Sequence, residues 1–285
     1  MQDLWRSRRT CRACGAAALD PVHDFGPTPL SDRIQPAPES RAPSPRVPLT
    51  LCHCSACGMS QLSVDVVAEV LFSADYPYYS SVSPALSAHF EGAAQKIIAD
   101  RGIGPGSTVV EIASNDGCML RHFRTAGARV LGLDPAKGPA ARANADGVET
   151  RTVFFTEALA RALRAEGVVA DVILANNVLA HVPDPLGLAR GIAEVLAPDG
   201  IGVIEVPYLV DLMARGAFDT IYHQHACYVL LAPLSRMFGA VGLRIAGVER
   251  IAIHGGSLRL TLTRGAGDAP EVAEMIGAEE AAGQT

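Results

Sequence analysis

One alternation of predicted secondary structure constrains the fold of this chain more than any other feature. A β-branched run, Thr108–Val110, leads into the small-residue turn Glu111–Gly117, and a helical segment begins at Cys118. The next apolar run starts at Val130 and ends at the acid Asp134. Strand, turn, helix, strand and acid is the ground plan of a nucleoside-binding βαβ unit. In that unit the turn admits a ligand to the helix N-terminus, and the acid accepts hydrogen bonds from ribose hydroxyls.

The alternation continues to residue 263 and predicts an α/β fold. Predicted strands lie at 108–113, 129–133, 148–154, 171–176, 201–206, 243–251 and 257–263, and predicted helices at 118–126, 136–145, 157–166, 185–196, 208–214 and 232–241. Five strands that alternate with helices predict a mainly parallel sheet. The last two strands are separated only by Ala252–Gly256, too short for a crossover, so they should pair antiparallel. We therefore predict a Rossmann-like, seven-stranded methyltransferase sheet.

Composition and charge exclude several classes of function. The net charge is −6, which argues against a nucleic-acid binder or an anionic-membrane binder, since both need a cationic face. No run of 18 apolar residues predicts a transmembrane helix, and Met1–Arg9 lacks the apolar core of a signal peptide. We expect a cytoplasmic protein, a small-molecule substrate, and a monomer rather than an oligomer.

The first 62 residues have a character of their own. Two CxxC pairs, each followed by glycine, are formed by Cys11 with Cys14 and by Cys54 with Cys57. Four thiolates presented by two tight turns suit a structural zinc ion, and a site closed by four cysteines leaves no open position for chemistry. Unliganded thiols or redox pairs are the alternatives.

The remaining N-terminal segments complete the predicted division of the chain. A proline-rich connector spans 34–48, and helices are predicted at 64–72 and 85–100. The predicted domains are a zinc-binding domain at 1–62, a helical segment of the substrate site at 63–104, a methyltransferase core at 105–265 and a tail at 266–285.

Polar and aromatic residues cluster at the ends of successive predicted strands, where open α/β sheets bind ligands. The turn lacks the GxGxxG glycines that a dinucleotide pyrophosphate needs, which favours S-adenosylmethionine over NAD. A sulfonium ligand with an amino-acid group suits a turn that opens with an acid. The predicted cofactor residues are Glu111, Ser114, Asn115, Gly117, Asp134, Phe155, Asn176, Asn177 and His181.

With these motifs in place, the chain resembles the sugar C-methyltransferase family of deoxysugar and antibiotic biosynthesis. The resemblance rests on the two cysteine pairs and on the segments 26–32, 61–62, 76–81, 111–117, 177–183, 205–208, 218–225 and 254–259. It implies a zinc-binding N-terminal domain, a methyltransferase core, S-adenosylmethionine as methyl donor with S-adenosylhomocysteine as product, and a nucleotide-linked 4-keto sugar, typically dTDP-linked, as substrate.

The chain departs from this family in two places. Family members carry His-Glu-His where this chain has His223, Gln224 and His225. They also continue as a second Rossmann-like domain that helps to hold the sugar nucleotide, whereas this sequence stops at Thr285. From the sequence we therefore expect the far wall of the substrate site to be missing, because the natural protein is short, because the substrate is presented differently, or because the chain is truncated.

Carbon methylation alpha to a ketone needs a base for the C–H proton and hydrogen-bond donors for the enolate oxygen. His225 is the predicted base, because imidazole titrates near neutral pH and the resemblance gives this role to the second histidine. Tyr222 and Tyr76 are predicted donors or proton relays, with Tyr79 as a further candidate. Gln224 keeps the shape of the family glutamate without its charge, which predicts either a weaker base or a substrate that needs less help from the base.

Other interpretations remain open at this point. The residues around His225 could form a polar structural turn. The enzyme could transfer methyl groups to oxygen or nitrogen. A third alternative is a degenerate, non-catalytic scaffold that binds zinc and S-adenosylmethionine.

Overall fold

The N-terminal part of the chain is built from short strands. The structure is a computed structural model that describes residues 4–31, 45–72 and 76–284. Most of the predicted connector 34–48 lies outside these residues. The strands are β1 (Trp5–Ser7), β2 (Leu19–Pro29), β3 (Arg46–Cys54), β4 (Ser60–Leu62) and β5 (Val64–Val66). β1 and β5 pair with each other, while β2, β3 and β4 form an antiparallel sheet.

The helix predicted over 64–72 is wrong in its first half. Val64, Asp65 and Val66 alternate apolar and polar side chains, and they pair with β1 so that Val66 lies opposite Trp5. Only α1 (Ala68–Leu71) is helical. The next predicted helix is present as α2 (Pro84–Arg101), which begins where the Ser83 hydroxyl accepts a hydrogen bond from the Leu86 amide at 3.3 Å.

The rest of the chain forms a seven-stranded sheet with helices on both faces. Its strands are β6 (Thr108–Ile112), β7 (Arg129–Leu133), β8 (Thr150–Arg151), β9 (Ala170–Asn176), β10 (Leu196–Pro207), β12 (Leu243–Ile251) and β13 (Ser257–Arg264). Its helices are α3 (Leu120–Thr125), α4 (Lys137–Ala145), α5 (Glu157–Ala165), α6 (Pro185–Val195), α7 (Leu209–Arg215) and α8 (Leu231–Gly239). A further strand, β11 (Cys227–Tyr228), leaves this sheet and pairs with β4.

The strand order confirms the predicted fold class. The sheet runs β12-β13-β10-β9-β6-β7-β8, with the five strands from β8 to β10 parallel to one another. β13 pairs antiparallel with both β10 and β12, as the short connection predicted. The third predicted strand is shorter than expected, because β8 is an edge strand whose pairing with β7 is confined to Gly132 and Leu133.

Alternating side chains divide the core between the two faces of the sheet. Val109 and Val172 pack on one face with Phe90 and Phe123, while Val110 and Ile173 belong to the cluster on the other face. Such two-sided burial explains why the parallel strands are apolar at almost every position. The central strands of the sheet are therefore anchored by core packing on both faces.

The C-terminal segment ends in α9 (Pro270–Ala281), within the stretch predicted as a tail. Val272 and Glu279 on this helix are buried, so it packs onto the core instead of extending from it. The predicted domain boundaries at 62, 104 and 265 stay predictions. Across the described ranges, every helix is too short or too polar to cross a bilayer.

Candidate functional site

A cavity of about 710 Å³ opens at the carboxyl ends of the parallel strands. Most of the predicted site residues line it, from both the cofactor group and the substrate group. They are Tyr76, Glu111, Ser114, Asn115, Asp134, Phe155, Asn176, Asn177, His181, Tyr222, Gln224 and His225. Two predicted residues lie outside the lining, Tyr79 and Gly117. Gly117 packs instead against the Val148 side chain, which would lie 3.0 Å from a Cβ at that position.

The turn after β6 has an unusual backbone. Ala113 and Asn115 have φ values of 53° and 51°, a left-handed conformation that side chains other than glycine rarely adopt. Asp134, at the end of β7, holds the turn in place, because one carboxylate oxygen accepts from the Asn115 amide and the other from the Ala136 amide, both at 2.8 Å. Strained backbone retained beside a cavity is typical of ligand-binding turns.

The predicted ribose acid, Asp134, therefore has a structural task as well. Burial raises the pKa of its carboxyl, and the two backbone amides work in the opposite direction. Each of its oxygens keeps a second lone pair, so a ribose hydroxyl can still bind there.

Buried acceptor atoms without hydrogen-bond partners line the part of the cavity around Glu111. Glu111 is only 4% exposed, and its Oε1 accepts from the Asn176 amide at 3.4 Å. Among the described residues, Glu111 Oε2 and the side-chain oxygens of Asn176 and Asn177 are buried without a hydrogen-bond partner. Burial raises the pKa of Glu111 to about 8, and nearby acids including Asp134 add to this. Buried acceptors without donors fit the α-ammonium group of S-adenosylmethionine.

The sequence did not reveal how the cofactor turn meets the tyrosine segment. The Asn115 side chain accepts from the Ser80 amide at 2.9 Å and donates to the Tyr78 carbonyl at 3.1 Å. Asp116 accepts from the Ser81 amide at 3.2 Å. Asn115, predicted to bind the cofactor, thus fixes segment 78–81 against the turn. No spacing rule predicts such a contact between segments 35 residues apart.

The structure also adds lining residues that the sequence analysis did not select. Phe72 contacts the His181 ring edge to face, with centroids 5.9 Å apart. Tyr78, Met119 and His254 also belong to this set. His254 has a φ of 53°, so a strained position outside the turn after β6 also faces the cavity. Within the described ranges, no lysine or arginine side chain lines the cavity.

His225 is oriented by two hydrogen bonds. Its Nδ1 donates to the Thr220 carbonyl at 2.8 Å, which leaves Nε2 as the acceptor of the Tyr222 hydroxyl at 3.1 Å. Burial lowers the pKa of His225 to about 4, and the neighbouring His181 acts in the same direction. The imidazole is therefore neutral at physiological pH, with its basic nitrogen directed to Tyr222.

The other two histidines of this region point to different partners. His181 donates from Nδ1 to the Gln224 carbonyl at 2.8 Å, and its ring centroid lies 4.9 Å from that of His225. His223 instead turns away from the cavity and donates from Nε2 to the Val47 and Pro48 carbonyls at 3.2 and 3.1 Å. His223 thus fastens this segment to β3.

The four predicted zinc ligands come together. Their sulfur atoms all lie within 4.8 Å of one another, with 3.6 Å between Cys11 and Cys57 and 3.8 Å between Cys14 and Cys54. A zinc tetrahedron with Zn–S bonds of about 2.3 Å places its sulfurs about 3.8 Å apart, so the thiols fit the ion. Cys52 lies outside this group and is buried on β3.

Comparisons with known protein families agree with this two-part layout. The family described as "Methyltransferase domain" matches residues 87–247, and a family described as a zinc binding domain matches residues 11–72. C-methyltransferase NovU of Streptomyces niveus is 35% identical over 286 residues, which cover 99% of this chain and 68% of NovU. A ubiquinone biosynthesis O-methyltransferase of Burkholderia pseudomallei (strain 1710b) is 26% identical over 176 residues, covering 56% of this chain and 74% of that enzyme.

Solved structures share the fold at low identity. The PH0226 protein of Pyrococcus horikoshii OT3 superposes with a TM-score of 0.53 at 14% identity, over 66% of this chain and 94% of that chain. The plantazolicin methyltransferase BpumL, solved with S-adenosylhomocysteine, superposes with a TM-score of 0.50 at 12% identity, over 70% of this chain and 94% of that chain.

Proposed function

The chain belongs to the S-adenosylmethionine-dependent methyltransferases, in the same family as C-methyltransferase NovU, and we propose that it methylates the carbon alpha to the ketone of a nucleotide-linked 4-keto-deoxysugar. The nucleotide in this proposal is dTDP. The observation that carries the proposal is the neutral, oriented His225 imidazole, which lines the same cavity as the turn after β6. A carbon acid next to a ketone is the substrate for which such a base is needed.

Tyr222 connects the substrate carbon to this base. Because its hydroxyl is already hydrogen-bonded to His225 Nε2, it can pass a proton to the imidazole while it accepts the proton of the C–H bond. The electron pair of that bond moves into the ketone to form an enolate. Tyr76, which also lines the cavity, is the proposed donor to the enolate oxygen.

The remaining residues hold the methyl donor. When bound, S-adenosylmethionine supplies an electrophilic methyl group and leaves as S-adenosylhomocysteine. Glu111 and Asn176 would accept hydrogen bonds from its ammonium group, and Asp134 would accept from the ribose. Phe155 would pack beside the adenine. A cavity lined by acids and free of lysine and arginine in its described part suits a cationic sulfonium ligand.

The same charge pattern indicates how a sugar nucleotide enters. Histidines with lowered pKa values, such as His225 and His254, give a diphosphate little positive charge inside the cavity. We therefore propose that the neutral keto-sugar ring occupies the cavity and that the diphosphate stays outside it. Zinc, held by the four cysteines, stabilises the small sheets and takes no part in the reaction.

Incubation with isotopically labelled S-adenosylmethionine and a panel of keto sugar nucleotides, followed by mass spectrometry, tests the proposal. We expect one substrate to gain one labelled methyl group, and His225→Ala to abolish the gain while calorimetry still detects cofactor binding. Loss of both methyl transfer and cofactor binding in the variant would indicate misfolding instead. Methylation of a hydroxyl or amine compound only would support the O- or N-methyltransferase alternative, and binding without any transfer would support the scaffold.

A further inference from the structure

An arginine inside the first cysteine pair reaches the loop that carries His181. The Arg12 side chain is fully buried, although it lies between two proposed zinc ligands in the sequence. Its guanidinium donates to the Asp65 carboxylate at 2.5 Å, the Val64 carbonyl at 2.7 Å and the Pro183 carbonyl at 3.0 Å. One buried group thus joins the cysteine knuckle, β5 and the loop after β9.

Pro183 stands two residues from His181. Pro183 and His181 both line the cavity, and the His181 ring contacts His225 and bonds the Gln224 carbonyl. The position of the 181–183 loop therefore sets one wall of the space around the proposed base. A displacement of this wall by a fraction of an ångström changes the geometry in which the proton is transferred.

Gln61 provides a second connection from the same knuckle. Its side-chain oxygen accepts from the Arg12 amide at 2.7 Å, and Gln61 lies opposite Cys227 in the pairing of β4 with β11. The Cys227 amide in turn donates to the Ala180 carbonyl at 3.2 Å. The backbone of the knuckle is thus linked to both segments that carry His181 and His225.

We propose that Arg12 is a positioning residue, and that the cysteine knuckle, when it holds its metal, uses Arg12 to fix loop 181–183 against His225, the proposed base. The cysteine site then controls the geometry of methyl transfer in addition to stabilising the small domain. The contribution to turnover rests on the proposed function, whereas the control of loop order does not.

The chemistry of arginine explains why lysine cannot replace it. The guanidinium donates from two separate nitrogens, Nη1 to Asp65 and the Pro183 carbonyl and Nη2 to the Val64 carbonyl, whereas a lysine donates from a single nitrogen. Arg12→Lys keeps the positive charge beside Asp65 and loses part of this fork. Arg236→Lys is a matched control, because Arg236 on α8 donates to the Cys57 carbonyl of the other knuckle at 3.5 Å and lies outside the cavity lining.

Hydrogen exchange measured by mass spectrometry tests the proposal without any sugar substrate. In Arg12→Lys we expect amides of 178–182 to exchange about tenfold faster, which corresponds to about 1.4 kcal/mol of lost local protection. Zinc content, measured by elemental analysis, and exchange in β6 should stay at wild-type values. Arg236→Lys should leave 178–182 unchanged. Unchanged exchange of 178–182 in Arg12→Lys would overturn the proposal, and so would equal acceleration in both variants.

Metal removal from the wild-type protein covers the case in which Arg12→Lys does not fold. Stripping zinc with a chelator should accelerate exchange at 178–182 and leave β6 protected, and adding zinc back should restore 178–182 to its starting rate. Full protection of 178–182 after the metal has been removed would contradict the proposal. With an identified substrate, Arg12→Lys should lower kcat more than it weakens cofactor binding; the loop proposal stands or falls on the exchange data alone.

Discussion

The properties of His225 follow from what surrounds it. Its neighbours are another histidine and two tyrosine rings, Tyr222 and Tyr228, so burial dominates and the neutral form is favoured. A base works best when its pKa lies near the pH of the reaction, and a pKa of about 4 is well below it. The hydrogen bonds of His225 to the Tyr222 hydroxyl and the Thr220 carbonyl fix the orientation of the ring, and the proposed proton relay through Tyr222 would offset part of the low pKa.

A glutamate in place of Gln224 should raise the low pKa of His225. Gln224→Glu brings a carboxylate into a position that is only 2% exposed, next to His225 in the sequence and in the same cavity. The negative charge raises the pKa of the imidazole towards neutrality, so we expect turnover at pH 7 to rise several-fold. A pH–rate profile checks this, with the exposed Gln95→Glu as control. Turnover equal to the wild-type rate would refute the role given to residue 224.

Cofactor binding should be linked to the release of a proton from Glu111. Its folded pKa of about 8 exceeds the unfolded value of 4.5, so the free protein loses stability as pH rises from about 4.5 to about 8. A cationic ligand favours the ionised carboxylate, and binding near pH 7 should therefore release a proton. Calorimetry in buffers of different ionisation enthalpy measures that release. We expect it to vanish in Glu111→Gln, and a proton release that persists in this variant would assign it to another group.

Residue types that carry their own chemistry were the most predictable part of the site. The four cysteines could be selected from their CxxC spacing, Glu111 from its position near the end of a strand, and His225 from the chemistry of its imidazole. The tethering role of Asn115 could not, since it depends on the approach of the Tyr78 segment in three dimensions. The same holds for Tyr79, whose neighbour Tyr78 lines the cavity instead.

At the scale of elements, α9 stabilises the start of α8. The buried Glu279 accepts hydrogen bonds from the Leu231 and Ala232 amides at 2.7 and 3.0 Å, and from the Tyr208 hydroxyl at 2.8 Å. The two amides belong to the first turn of α8, where helix N–H groups have no partner within the helix. A carboxylate there also interacts favourably with the helix dipole. α9 is therefore part of the fold of the methyltransferase core.

Removing this carboxylate should destabilise the whole core. Glu279→Ala leaves three buried donors without an acceptor, which costs about 2–4 kcal/mol of unfolding free energy. Glu280→Ala removes the exposed neighbouring acid and should change the free energy of unfolding by less than about 0.5 kcal/mol. Urea unfolding followed by circular dichroism compares the two. Equal effects of both substitutions would show that Glu279 does not act as a cap.

Element boundaries differed from the sequence prediction where pairing with distant segments decides them. The 64–66 run reads as the start of a helix by itself and becomes a strand because β1 offers a partner. β8 is short because it lies at the edge of the sheet. The parallel core strands matched the prediction closely, since their apolar runs reflect burial on two faces rather than a particular neighbour.

At the scale of the whole molecule, the small domain and the methyltransferase core are joined through one β-sheet. β11, which follows His225 closely in the sequence, completes the sheet of β2, β3 and β4, and His223 bonds the backbone of β3. The substrate side of the cavity is therefore built between the two parts. Sequence motifs predicted both parts separately. The pairing of β11 with β4, by which the core adds a strand to the small sheet, leaves no periodic signal in the sequence and is seen only in the structure.

The position of the transferred methyl group tests the account most directly. The enzyme is supplied with S-adenosylmethionine labelled with ¹³C at the methyl group and with a ¹³C-labelled keto sugar nucleotide, and the product is examined by NMR. We predict a one-bond carbon–carbon coupling between the new methyl group and the carbon next to the ketone, and its absence in His225→Ala. A methyl group bonded to oxygen or nitrogen, or an unchanged C-methylated product from His225→Ala, would contradict the account.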